Sequence, residues 1–159
     1  MAAASRRSAG LLLFRRPSGA VLEVLIAHTG GPFFAKKDRA AWSIPKGEYE
    51  PDEMPQDAAR REFTEELGLP VPDGPLLELG EVQQRNGKVV TAWALEADLD
   101  PATIVPGTFP LELPRGSGRF VETPEIDRVA WFTPDEARDR LFAGQAEFLD
   151  RLAALLAVG

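Results

Sequence analysis

Residues 47–69 read GEYEPDEMPQDAARREFTEELGL. Good helix formers run from Pro55 to Leu67, with a proline suited to the first turn and Gly68 as a stop. On this predicted helix Glu62, Glu65 and Glu66 stand at i, i+3 and i+4, so their carboxylates share one face. Like charges so spaced repel and cost helix stability unless something positive sits among them. A hard divalent cation meets that need, because Mg²⁺ takes carboxylate oxygens and keeps positions for water and a substrate phosphate. Taken alone, three glutamates so spaced favour a solvated acidic face; their surroundings decide the matter.

The whole chain narrows the field. Its 159 residues suit one domain, residues 1–159, with residues 1–7 as a flexible tail. The apolar fraction of 44% and charged fraction of 27% are those of an ordinary globular protein. A formal charge of −7 argues against a nucleic-acid partner, whose phosphates need a basic face. An acidic protein that handles phosphates needs local cations, either bound metal or clustered Lys and Arg. With no cysteine, disulfides, thiolate nucleophiles and Cys-built zinc sites are excluded. The single histidine, His28, excludes a multi-histidine metal site, and no nucleophile-elbow motif is present. Arg6 and Arg7 precede an apolar run too short for a signal segment, and no stretch has the length of a membrane span. A cytoplasmic location is expected, with no membrane partner; a homodimer is left open.

Outward from the central stretch, residues 11–14 and 21–27 flank a turn cluster and read as a hairpin. A polar loop follows over 29–40, then a brief strand over 42–44. Residues 76–84 and 88–95 flank Arg85-Asn86-Gly87, a second hairpin signal. Residues 128–132 form another strand candidate, and Thr133-Pro134-Asp135-Glu136 has capping-box form. Phe148, Leu152, Leu155 and Leu156 give the last segment one apolar helical face. Strands dominate without regular strand–helix alternation, an α+β pattern.

The spacing Gly47-x5-Glu53-x7-Arg61-Glu62-Phe63-x-Glu65-Glu66-x-Gly68-Leu69 is the complete Nudix box, and the chain here resembles that hydrolase family. At average residue usage such a pattern arises by chance about once in a billion windows or less. Gly47 lets the backbone approach an ion closely, and Glu53 is placed to pair with Arg61 and so orient Glu62. Gly68 suits a left-handed C-cap, and Phe63 and Leu69 anchor the element in the core. Met54 departs from the usual capping residues at the helix start.

The resemblance implies an α/β/α sandwich around a mixed sheet, and a Mg²⁺-dependent (or Mn²⁺-dependent) hydrolase that cuts a phosphoanhydride bond in a nucleoside diphosphate derivative. It makes Glu62, Glu65 and Glu66 metal ligands, with the backbone carbonyl of Lys46 as a further one. It also makes one of these carboxylates, or a partner from a later loop, the base towards water. Glu125, shortly before Trp131-Phe132, matches a glutamate that relatives use as an extra ligand or base. A (d)NTP or dinucleoside polyphosphate is the leading substrate class. The alternatives are a nucleotide sugar, ADP-ribose or an inositol pyrophosphate, and, from another class, a non-catalytic nucleotide-sensing domain. Pro45-Lys46-Gly47 resembles dinucleoside-polyphosphate and diphosphoinositol-polyphosphate hydrolases. Lys36, Lys37, Arg39, Lys46 and Arg119, with Arg115, are candidates to clamp a phosphate chain. Phe33, Phe34, Tyr49 and Trp93 are candidates to stack a base, and His28 is expected to be structural.

Overall fold

The computed structural model describes residues 6–17 and 21–158. Strands β1 (Arg7–Arg15), β2 (Glu23–Thr29), β3 (Trp42–Ser43) and β4 (Lys46–Glu48) lead into helix α1 (Pro55–Leu67). Then come β5 (Leu77–Gln83), β6 (Val89–Glu96), β7 (Thr108–Glu112), β8 (Phe120–Pro124) and β9 (Ile126–Phe132). Helices α2 (Pro134–Arg138) and α3 (Ala146–Val158) close the chain.

The main sheet is mixed, with β3-β2-β1-β6-β5 as its spine, β9 added to β2 and β4 to β1. β1 lies at its centre, antiparallel to β2 and β4 but parallel to β6. Both of its faces are covered, which is why residues 11–14 are uniformly apolar rather than alternating. Leu11 and Leu13 face a core layer built with Ala58, Ala59, Phe63 and Leu67 of α1. Leu12 and Phe14 face the opposite layer, with Ala137 of α2 and Phe148, Leu149 and Leu152 of α3. The period of two thus sorts neighbouring residues to opposite layers, and the expected α/β/α sandwich is the result.

α1 has the bounds read from the sequence. Met54 sits at its N-cap without a side-chain cap bond, and Gly68 takes the left-handed C-cap at φ 70°. Both expected hairpins form, and Thr133 with Glu136 completes the capping box. Two expectations need correction, and two elements have no counterpart in the sequence reading. Arg7 already pairs with Val89 as the first residue of β1, so the tail expected over 1–7 does not include it; residues 1–5 lie outside the described residues. β4 is a strand of only Lys-Gly-Glu, recruited by pairing with β1. The β7–β8 hairpin stands as a separate two-stranded sheet. On α3, Leu149 rather than Leu155 shares the buried face, Leu155 being 42% exposed.

A buried amide ties the helical layer to the loop that leads to α1. Gln145, with no exposed surface, accepts from the Ile44 backbone N–H (3.0 Å) and donates to Ser43 Oγ (3.0 Å) and Gln84 Oε1 (2.7 Å). Truncating it would strand a buried donor, which costs about 1–3 kcal/mol. Gln145→Ala is therefore expected to lower unfolding free energy in urea by at least that amount. An unchanged midpoint would remove the amide from the account of the fold.

Candidate functional site

One edge of α1 gathers opposing charges around Arg61. Its Nε and Nη2 donate to the two oxygens of Glu53, each at 2.9 Å, a two-point grip that pins the preceding loop to the helix. Its Nη1 donates to Glu62 Oε1 (2.7 Å) and, one turn on, to Glu65 Oε2 (3.1 Å). The Glu53 bond above all raises the Arg61 pKa, and Arg61 in turn holds Glu53 below the usual carboxylate range.

The other carboxylates are held under strain of charge. Burial raises Glu62, against the pull of Arg61 and with the push of Glu65 and Glu125. Burial likewise raises Glu66 to about 8, opposed by the Lys46 ammonium and by the Lys46 backbone N–H, which donates to Glu66 Oε2 (3.2 Å). Glu125, from the loop between β8 and β9, is raised by burial and by Glu65, and its own charge raises Glu62 and Glu66. Gly47 leaves the space that Glu62 fills: a Cβ there would lie 1.9 Å from a Glu62 carboxylate oxygen.

These groups suit a hard divalent cation. All are oxygen donors, and the mutual repulsion of Glu62, Glu65, Glu66 and Glu125 is the kind that such a charge relieves. Among the described residues no three His, Cys, Asp or Glu side chains close a ligand set by themselves. Arg61 Nη1 draws Glu62 and Glu65 towards itself, and Mg²⁺ in any case keeps several positions for water and phosphate.

Backbone contacts bring Glu125 to the helix. Val105 N–H donates to the Leu67 carbonyl (2.7 Å), capping the end of α1, and Glu125 N–H donates to the Gly107 carbonyl (2.9 Å). Gly107 lies so close to the helix that a Cβ would meet the Glu65 carbonyl at 2.7 Å. Sequence reasoning passed over this segment; Pro106-Gly107 after two apolar residues was its only signal.

The remaining candidates scatter. Lys46 sits on β4 beside Glu66. Lys37 holds its ammonium 5.5 Å from the Phe34 ring centroid, while Lys36 and Arg39 are exposed on the same loop. Tyr49 lines a cavity of about 810 Å³ with Arg6, Arg7, Glu53 and Arg61. Arg119 and Arg115 lie near the exposed tip of the β7–β8 hairpin, in neither that cavity nor the cleft beside Lys46. Phe33 is 67% exposed and Trp93 packs against the core. His28 is fully buried, with Nδ1 on the Asp127 carboxylate (2.9 Å) and Nε2 on the Lys37 carbonyl (2.6 Å), a structural tie as expected.

A family model described as the NUDIX domain matches residues 4–152. Among solved structures, the chain is similar to a C. elegans Ap4A hydrolase binary complex, at 21% identity over 97% of this chain and 99% of that one, with TM-score 0.67. It is similar to the NUDIX domain of Shewanella oneidensis NrtR complexed with ADP ribose, at 14% identity over 97% and 90%, with TM-score 0.63. It is similar to a Nudix hydrolase from M. smegmatis, RenU, at 26% identity over 95% and 85%, with TM-score 0.55. No curated protein sequence matches the chain.

Glu66 makes the site visible in stability. A carboxyl whose pKa is higher folded than unfolded stabilises the fold below the unfolded value and loses that contribution as pH rises through the folded one. With divalent ions chelated, the melting temperature is expected to fall between about pH 4.5 and about pH 8, and Glu66→Gln to flatten the fall. The same slope in the variant would clear Glu66 of responsibility.

Proposed function

The chain belongs to the Nudix family, whose hydrolases act on pyrophosphate bonds, and on that premise we propose that it is a Mg²⁺-dependent hydrolase of a nucleoside diphosphate derivative. A (d)NTP or dinucleoside polyphosphate is the substrate class we favour, in a cytoplasmic setting. The observation that carries the reading is the approach of Glu125 to Glu62, Glu65 and Glu66 beside a half-buried Lys46.

In this reading Glu62, Glu65, Glu66 and the Lys46 carbonyl hold the ion (Mg²⁺, or Mn²⁺ in its place), with Glu125 as a further ligand or as the base. The ion, when bound, supplies Lewis acidity towards the phosphate oxygens. Arg61 is a positioning residue: it fixes Glu53 and turns Glu62 and Glu65 to one edge. Lys46 places a cation against the phosphates. A carboxylate near neutral pKa is suited to take a proton from the attacking water, since it is both available as base and able to release the proton again. Glu66, raised to about 8, meets that condition, and burial moves Glu125 in the same direction. A non-catalytic sensor fits the sequence less well, because every box carboxylate is present.

Release of phosphate or nucleotide from dNTPs, oxidised dNTPs, diadenosine polyphosphates, ADP-ribose and nucleotide sugars, with and without Mg²⁺, tests the proposal. Glu66→Gln should lower kcat by more than about a hundredfold, beyond the ten- to hundredfold typical of a group that only supports a ligand. Retained turnover would sink the metal-platform assignment, and silence across the panel with nucleotide binding intact would favour the sensor.

Glu125 separates from the box in the same assay. Glu125→Gln is expected to slow turnover by a smaller factor, and Gly107→Val, which pushes on its seat, to follow it. Wild-type rates in both would remove Glu125 from the site.

A further inference from the structure

Outside the carboxylate edge, a fully buried titratable ring is tied at both of its nitrogens. His28, on β2, directs Nδ1 to the Asp127 carboxylate (2.9 Å to Oδ2, 3.0 Å to Oδ1) and Nε2 to the Lys37 carbonyl (2.6 Å). A carbonyl can only accept, so Nε2 carries a proton. Asp127 stands nearly equidistant from Nδ1 with both oxygens and accepts from Arg128 Nη1 (3.2 Å) at one of them. That is the pattern of an ionised carboxylate shared by N–H donors, so Nδ1 donates as well. A ring that donates from both nitrogens is an imidazolium. We propose that His28, in this form, is a positioning residue for Glu125: it pins the bulge of β9 that sets Glu125 against α1, and ties the 29–40 loop to the same strand. The inference rests on Glu125 belonging to the carboxylate site.

The register of the sheet connects this ring to Glu125. β9 runs antiparallel to β2, with Val129 opposite Ala27 and Arg128 opposite His28, but Ile126 is opposite Thr29. Asp127 is therefore the extra residue of a β-bulge, two positions after Glu125. The bulge breaks the alternation of β9, so that Ile126 and Val129 both face the α1 layer. Asp127 and Arg128 both turn to the other face, where the His28 ring meets Trp42 edge to face with centroids 5.0 Å apart. Were the bulge to slip out, β9 would move by one residue, carrying Glu125 about 3.3 Å along the strand and to its opposite side. That slip would leave the His28 charge buried without its partner, which makes a charged ring a firmer latch than a neutral one. Arg128, half exposed, can turn to water instead; the buried ring cannot.

The ring's other end serves the loop. Lys37 N–H donates to the Phe34 carbonyl (3.0 Å), so the Lys37 carbonyl closes a turn that His28 Nε2 fastens to β2. Gly30 N–H donates to the Glu125 carbonyl (3.0 Å), a second crossing between loop and strand. A Cβ on Gly30 would lie 2.1 Å from the Pro124 carbonyl oxygen, so the crossing admits no side chain. On its far side, Glu125 N–H donates to the Gly107 carbonyl (2.9 Å). The backbone of Glu125 is thus clamped from two directions, and the bulge decides which residue occupies the clamp.

The single histidine makes the first test free of assignment. In nitrogen NMR of histidine-labelled wild type at neutral pH, both ring nitrogens should carry protons; a bare Nδ1 would overturn the proposal without recourse to any variant. The second test follows the Gly30 and Glu125 amides by hydrogen exchange. Asp127→Ala, at a partly exposed position, should speed both roughly tenfold or more, and exchange as slow as in wild type would overturn the proposal. In turnover, Asp127→Ala should lower kcat roughly tenfold with KM unchanged, the range of a group that supports a ligand. Asp127→Asn, whose amide oxygen still accepts, should restore most of the rate. In a Glu125→Gln background the loss from Asp127→Ala should vanish, since residues acting through one group do not add; an undiminished loss would overturn the proposal. Loosened amides in a protein without turnover would fell the hydrolase reading and leave the latch standing, and turnover with unmoved amides would do the reverse.

Discussion

One guanidinium holds the site together. Glu53, Glu62 and Glu65 all bond to Arg61, which stands between a loop and a helix that would otherwise repel each other. Arg61 is 39% exposed, so any single pair it makes is screened and contributes little to stability. Geometry rather than energy is the point. A planar fork can grip Glu53 at two atoms and still direct its remaining nitrogen along the helix; a lysine ammonium, a point charge on a flexible stem, cannot. The close approach of Gly47 to Glu62 follows, because Glu62 must lie flat against the loop that Arg61 has pinned.

What the sequence made legible of the fold was local. α1 could be bounded to the residue because its start, its stop and its repeating carboxylates all lie within one short stretch. The hairpins were legible for the same reason: turn residues between apolar runs. The parallel pairing of β1 with β6 was not, since no local pattern states which distant strand a buried apolar run will meet. β4 has no strand signature at all; Lys-Gly-Glu is extended because β1 offers it an edge. β7 and β8 were hidden by Pro110 and by a Gly-rich tip that reads as loop. Leu155 was misplaced because the helical period alone puts it on the face of Phe148, seven residues earlier, whereas on the last turn of α3 that position is exposed.

The site divides along the same line. The box residues were legible because the chemistry needs them on a single element, at fixed spacing. Glu125 could be named but not seated. Its position depends on Val105 and Gly107 reaching back to cap α1, two backbone contacts that leave almost no trace in side-chain pattern. The cleft beside Lys46 was half legible: Phe34 and Lys46 were candidates, whereas Phe142, Gln84 and Lys88 come from α2–α3 and β5–β6 connections and meet them only in the folded sheet.

The acidic chain and its anionic chemistry are reconciled by distance. A charge of −7 spread over the molecule acts weakly across the solvent, because exposed charges farther apart than about 8–10 Å are largely screened at physiological salt. Lys46, Lys88 and Arg85 line a single cleft, where they act at contact range. The exterior thus opposes a long polyanion, which must lie along many carboxylates, more than a short one. That difference accounts for an overall acidity beside a cationic cleft, and it limits the anions this surface favours to small ones.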